Sequence, residues 1–165
     1  VGYERGVPMG GDLRDIESPA FVVAASRDAG TAEHLGAPLQ QVQIIKGWLD
    51  EDGRSRERVV TIAGDPDNGA GVDTATCRRQ GQGFDNLCAV WRDADFDPGR
   101  DAYYYARVLE NPSCRWTTWF CNAQGVDCAD PSTVTEETAM CCSDKFPKTI
   151  RERAWSSPIW YVPDA

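Results

Sequence analysis

The stretch LQQVQIIKGWLDEDGRSRERVVTIAG, residues 39–64, decides the fold. Its first half places Val42, Ile44 and Trp48 at even spacings, which is the alternation typical of a β-strand. The acidic, glycine-containing run EDGR at 51–54 predicts a reversal of the chain, and ERVVTIAG then leads back. We therefore predict an antiparallel hairpin over residues 39–64.

Further strands are predicted on both sides of this hairpin. SPAFVVAASRD, from Ser18, is a short apolar run that predicts a buried strand, and LCAVWRD, from Leu87, predicts another. Residues 158–162 form the last strand, and helical turns are predicted only after Cys114. Glycine-rich turns separate most of these runs. We therefore predict an all-β fold, an antiparallel β-sandwich with long disulfide-tied loops and little helix.

The run RDAYYYARV, residues 100–108, indicates an immunoglobulin-like outline for this sandwich. Its strand should point Tyr103, Tyr105 and Arg107 to one face and Tyr104, Ala106 and Val108 to the other. An acidic residue, a small residue and a tyrosine form the tyrosine corner of such sandwiches, and Asp101, Ala102 and one of the three tyrosines fit that pattern. The alternative is simply an aromatic-rich strand.

The length of 165 residues fits one domain, residues 1–165, with its own core. Residues 1–18 are predicted to form an irregular lead-in, and residues 65–86 and 121–148 to form loop excursions. The chain opens at Val1 without a signal peptide, so we expect it to be a fragment of a longer protein.

The charge and hydropathy of the chain exclude two classes of partner. The net charge of −9 argues against a nucleic acid and against an anionic membrane surface. No run approaches the roughly 18 apolar residues that cross a bilayer, so membrane insertion is not expected.

Seven cysteines predict disulfides and an oxidising compartment, which means a periplasmic or secreted protein. They are Cys77, Cys88, Cys114, Cys121, Cys128, Cys141 and Cys142. A zinc site is the alternative, but none of the spacings is C-x-x-C. We expect a Cys77–Cys88 bond, two bonds among the other five cysteines and one thiol left over. The adjacent Cys141 and Cys142 should take different partners.

Two groups of aspartates are candidate metal ligands. Alternating aspartates before a glycine can collect oxygen atoms around calcium, and the first group has this pattern: Asp93, Asp95, Asp97 and Asp101. The second group, in a Gly/Asn-rich loop, is Asp65, Asp67 and Asp73. The alternative for both groups is a set of Asx-turns. No other cofactor is expected, and His34 has no identifiable nucleophile or ligand set beside it.

Arginines and tryptophans flank the cysteine-rich segment, and they form a candidate interface: Arg115, Trp116, Arg151, Arg153 and Trp155. These residue types carry much of the energy of protein interfaces. An internal cation–π stack is the alternative. If the cysteine-rich segment loops out, its two flanks should return side by side. We then expect Trp155 in the core and Arg115 and Trp116 on a docking face.

Four long phrases carry a resemblance to a known family: GVPMGGDL, QQVQIIKGWLD, AVWRDADFDPGRDAYYYARVLENPSCRWTT and IRERAWSSPIWY. Together they resemble the carboxy-terminal part of the bacterial domain-of-unknown-function family 3604. The resemblance implies an exported protein with an upstream barrel similar to metal-dependent phosphoesterases of the polymerase-and-histidinol-phosphatase type. It also implies that the metal ligands lie in that barrel and that the cysteine-rich insert at 121–142 departs from shorter members.

Two functions remain open at this point. The first is a non-catalytic accessory domain that packs on the upstream barrel of the same exported protein. The second is a free-standing extracellular binding or structural module that self-associates. In either case we expect the isolated chain not to be an enzyme.

Overall fold

The computed structural model describes residue 4, residues 6–33 and residues 35–163, and within these residues the chain is rich in strands. Helix α1 (Trp116–Ala123) follows Cys114, as predicted, and two 3-10 turns cover Pro131–Thr133 and Ala139–Cys142. The all-β class is therefore confirmed. His34 and Val1 lie outside the described residues.

The strands of the described residues are β1 (Asp12–Leu13), β2 (Ala20–Ser26), β3 (Leu39–Leu49), β4 (Ser55–Gly64), β5 (Gly71–Asp73), β6 (Arg78–Gln80), β7 (Asn86–Arg92), β8 (Ala102–Glu110), β9 (Ser113–Cys114), β10 (Thr149–Ile150), β11 (Arg153–Trp155) and β12 (Ile159–Tyr161).

Six of these strands form the main sheet, in the order β1-β12-β8-β3-β4, with β11 pairing further along β8. All neighbours are antiparallel except β1 and β12, which run parallel. The hairpin predicted over 39–64 is β3–β4, with Ile45 opposite Val59. The Asp50 carboxylate accepts hydrogen bonds from the amides of Asp52 and Arg54, which fixes the turn between them.

The second layer of the sandwich is the antiparallel pair β2–β7, in which Phe21 lies opposite Trp91. Phe21 packs against Tyr104 of the main sheet, with the two ring centroids 4.5 Å apart. The prediction of a buried strand here was wrong in one respect. The strand alternates, so Phe21 is buried while Val22 is 72% exposed, because the opposite face of this layer carries no further sheet among the described residues.

A buried polar network joins the two layers. The Lys46 ammonium of β3 donates to the carboxylate of Asp93, just after β7, at 2.5 Å. The Tyr104 hydroxyl of β8 donates to the same carboxylate oxygen at 2.8 Å. Burial of the phenol, reinforced by this contact with Asp93, raises the pKa of Tyr104 above its ordinary value. The network therefore holds the phenol protonated and donating.

The tyrosine corner, predicted to use one of Tyr103 to Tyr105, is not formed by the buried Tyr104. Its hydroxyl donates to a carboxylate instead of a backbone carbonyl, because the buried Asp93 needs donors. Another tyrosine, Tyr161, donates to the backbone carbonyl of Pro98 at 2.7 Å. The hydroxyl contacts of Tyr104 and Tyr161 therefore differ from the tyrosine-corner contact of immunoglobulin domains.

The excursion at 65–86 contains the small hairpin β5–β6, and the lead-in contains β1, which pairs with the last strand. Gly64 begins the first excursion with a φ of 85° and lies against the backbone of Gln40. A side chain at this position would meet a carbonyl oxygen at 2.2 Å, so the exit from β4 requires glycine.

Phe21→Ala should lower the free energy of unfolding by about 3–5 kcal/mol, because the ring fills the space between the layers. Val22→Ala is the matched control on the exposed face and should change it by less than about 0.5 kcal/mol. Chemical denaturation of both variants measures the difference. Equal losses would contradict the assignment of Phe21 as the contact between the layers.

Candidate docking surface

The outer face of the main sheet, which points away from β2–β7, carries most of the candidate site. Tyr104 points inward, so Tyr103, Tyr105 and Arg107 point outward, as the alternation predicted. Trp160 lies opposite Tyr103, and Trp155 lies opposite Arg107. Directly opposed residues share a face, so both tryptophans join this surface.

Aromatic rings form a stripe along this outer face. The rings of Tyr103 and Tyr105 stack with centroids 6.3 Å apart, and Trp160 lies 5.4 Å from Tyr103. Gly47 of β3 lies under Tyr103, where a Cβ atom would come within 2.2 Å of the ring. Trp160 remains 47% exposed and Trp155 58% exposed. The stripe is therefore rigidly held and open to solvent.

A polar network covers the neighbouring part of the same face. The Arg107 guanidinium donates twice to the side-chain oxygen of Gln43, at 2.8 and 2.6 Å. Gln43 donates to the side-chain oxygen of Gln41, which also accepts from the Thr61 hydroxyl. These bonds fix Arg107 beside Trp155 without neutralising its charge.

An arginine groove of about 600 Å³ continues from Trp155. Its charged lining consists of Arg115, Arg151, Glu152 and Arg153. Strand β9 pairs with β10, and the amide of Arg115 donates to the carbonyl of Lys148, so the flanks of the cysteine-rich segment do return side by side. The segment between the two flanks therefore leaves and re-enters the fold at adjacent points.

The three arginines of the groove are unpaired. Within the described part of the chain, Arg115, Arg151 and Arg153 form no side-chain hydrogen bond or ion pair. Among the same described residues, six other arginines form ion pairs: Arg14, Arg27, Arg54, Arg56, Arg58 and Arg100. In a chain of net charge −9, the groove is therefore a local concentration of uncompensated positive charge.

The predicted core position of Trp155 was wrong. Strand β11 has only three residues and pairs with the end of β8, and its tryptophan points to the uncovered outer face. Trp116 is 70% exposed on α1, as expected for a surface residue, but it does not line the arginine groove. The groove therefore gathers four of the five predicted interface residues and leaves out Trp116.

The disulfides differ from the predicted pairing at one point. The bonds are Cys77–Cys114, Cys121–Cys141 and Cys128–Cys142, and the unpaired thiol is Cys88. The predicted Cys77–Cys88 bond is wrong, because Cys88 points to the exposed face of β2–β7 while Cys77 lies beside β9. The prediction that Cys141 and Cys142 take different partners is confirmed.

The four aspartates at 93–101 do not assemble a calcium site. The Asp93 carboxylate accepts hydrogen bonds from Lys46 and Tyr104, and the Asp95 carboxylate forms an ion pair with Arg58. Across residues 4, 6–33 and 35–163, no three histidine, cysteine or acidic side chains are grouped to hold a metal. Asp65 and Asp73 instead accept hydrogen bonds from amides two residues ahead, as Asx-turns do.

Two acidic residues, Glu110 and Glu152, interact beside the arginine groove. Burial, followed by repulsion from Glu152, raises the pKa of Glu110 above its ordinary value. The two residues are held together because the amide of Glu110 donates to the carbonyl of Glu152 at 3.0 Å. Glu152 therefore places one negative charge in the arginine groove, and this charge disfavours the ionised form of Glu110.

The chain belongs to the family described as protein of unknown function (DUF3604), whose model matches residues 1–163. A comparison with curated proteins found no match, and neither did a comparison with solved structures. In the described residues, no helix has both the length and the apolar character needed to cross a bilayer.

Replacing Cys77 and Cys114 together by serine should lower the free energy of unfolding by about 3–4 kcal/mol. The bond closes a loop across a separation of 37 residues, and its loss frees that loop in the unfolded chain. The control is Cys88→Ser, whose exposed thiol makes no bond, and it should be nearly neutral. Peptide mapping that recovered a Cys77–Cys88 bond would contradict this pairing.

Glu110→Gln should stabilise the domain at pH 7 by about 0.3–0.5 kcal/mol, a small effect because the carboxylate is only partly buried and solvent screens its interactions. A raised carboxyl pKa means that the folded state prefers the protonated form, so the wild type loses stability as pH rises through that pKa. The advantage of glutamine should therefore shrink as pH falls and be smallest below the ordinary value of 4.5. Denaturation across pH 3–8 tests this, and an advantage that grows in acid would contradict it.

Proposed function

We propose that this DUF3604 domain is a non-catalytic accessory domain that docks onto another domain of an exported bacterial protein. The docking surface is the outer face of the main sheet together with the arginine groove. The observation that carries the proposal is Trp155, which is 58% exposed at the point where the aromatic stripe meets three unpaired arginines.

The residue types on this surface favour protein binding. Tryptophan, tyrosine and arginine supply a large share of the free energy at protein interfaces. The aromatic rings at Tyr103, Tyr105 and Trp160 are already held against one another, so little side-chain entropy is lost on docking. Docking of the aromatic stripe can thus bury apolar area with little loss of side-chain entropy.

The arginine groove specifies the charge of the partner. Guanidinium groups bind carboxylates through paired hydrogen bonds, and these three have no side-chain partner in the part of the chain that the structure describes. An acidic ridge on the partner would enter the groove and compensate the charges. The partner surface should therefore carry aspartates or glutamates beside an apolar patch.

The partner that the family resemblance favours is an upstream barrel of the metal-dependent phosphoesterase type. The domain would then shape or cover part of that barrel, and the barrel would supply the catalytic metal ligands. The isolated domain should lack phosphoesterase activity. Three disulfides support placing the protein in the periplasm or outside the cell.

A self-associating free-standing module is the second candidate. Cys88 is exposed and unpaired, and its side chain shares the outer face of β2–β7 with Val22 and Val90, which are 72% and 63% exposed. Sedimentation of the isolated domain with and without Cys88→Ser distinguishes the two functions. A dimer that disappears in this variant would favour self-association.

The docking proposal is tested with the double change Arg153→Glu and Trp155→Ala. Affinity of the isolated domain for the separately expressed remainder of the protein should fall at least about 30-fold, which equals 2 kcal/mol. The stability of the domain should change by less than about 0.5 kcal/mol, since both side chains are exposed. Calorimetric titration and thermal unfolding give the two quantities.

The matched control is Trp119→Ala, which removes a tryptophan that is 54% exposed on α1 instead of on the sheet. Its affinity should equal that of the wild type. A double variant that binds normally, or a Trp119 variant that binds much more weakly, would place the interface elsewhere.

A further inference from the structure

Strand β2 has an open edge. The amide of Arg27 donates to the carbonyl of Asp85, and the amide of Asp93 donates to that of Pro19, so the odd-numbered residues of β2 exchange hydrogen bonds with β7. The even-numbered residues Val22 and Ala24 therefore point their backbone groups away from β7. Among the described residues these groups have no backbone partner.

An apolar groove of about 810 Å³ runs along this edge. The main sheet forms its floor with Ile44 and Ile159, and the lead-in forms its far wall with Leu13 and Ile16. Every residue that lines the groove is uncharged. The floor of the groove is thus the inner face of the main sheet, and Tyr105, whose neighbour Tyr104 is part of this floor, also lines the groove.

The combination of an open strand edge and an apolar floor favours an extended polypeptide as the ligand of this groove. Backbone donors and acceptors that repeat every second residue match another strand, and alternate side chains of that strand would point to the floor. A small molecule or an α-helix would leave the edge of β2 unpaired. Such a strand would also widen a layer that has only two strands over a six-stranded sheet.

We infer that this groove binds an extended segment of a partner polypeptide, which adds as a third strand beside β2 and alternates apolar with polar residues. A second copy of the chain fits less well. The lead-in that walls the groove stands beside β2 in each copy, and it would block two β2 edges from meeting directly. The inference does not depend on the docking role of the arginine groove.

The test uses a phage-displayed library of linear heptapeptides as the probe. Enriched sequences should alternate apolar and polar residues, and synthetic versions should slow hydrogen exchange at the amides of Val22 and Ala24. This measurement on the wild-type domain needs no variant. Enrichment of no peptide, or protection of other amides only, would overturn the inference.

A pair of proline variants sharpens the test. Val22→Pro removes an amide that points to the groove edge, whereas Val90→Pro removes the opposite residue's amide, which points to the far edge of β7. Neither amide takes part in the β2–β7 ladder. Peptide affinity should fall at least tenfold in the first variant and stay unchanged in the second. Equal affinity in both variants, or a dimer of the free domain that Val22→Pro dissociates, would overturn the inference.

Discussion

The ion pair between Lys46 and Asp93 is the constraint on which the structure depends. Both side chains are almost fully buried, and Tyr104 donates to the same carboxylate. Removing one partner of such a pair leaves an uncompensated charge in the core, at a cost of about 3–5 kcal/mol. The pair joins β3 and the end of β7, and the tyrosine adds β8, so it connects both layers of the sandwich.

This network also decides which face of the main sheet remains open. Because Tyr104 must reach Asp93 between the layers, its neighbours Tyr103 and Tyr105 have to point outward. Strands β11 and β12 pair with β8, and their tryptophans then fall on the same outer face. The aromatic surface and the buried charge pair are therefore two consequences of one strand orientation.

The sequence predicted most of the strands because their signals are local. The hairpin at 39–64 and the strand through Tyr104 follow from alternation and turn residues. The alternation also placed Tyr103 and Tyr105 on the face opposite Tyr104, without deciding which of the two faces is outward. The Cys77–Cys114 bond was missed because it depends on the pairing of β9 with β10, two strands of two residues each. The exposure of Trp155 was missed for a similar reason, since a strand of three residues does not reveal its face. Asp93 looked like a metal ligand because its partner Lys46 is distant in sequence.

Oxidative footprinting of Trp155 tests the docking account most directly. The intact protein of the docking proposal, in which this domain is joined to an upstream barrel, and the isolated domain are both exposed to hydroxyl radicals. Oxidation of Trp155 is compared with that of Trp119 by mass spectrometry. We expect Trp155 to be protected several-fold in the intact protein while Trp119 is oxidised equally in both. Equal oxidation of Trp155 in the intact protein and the isolated domain would contradict docking through this face.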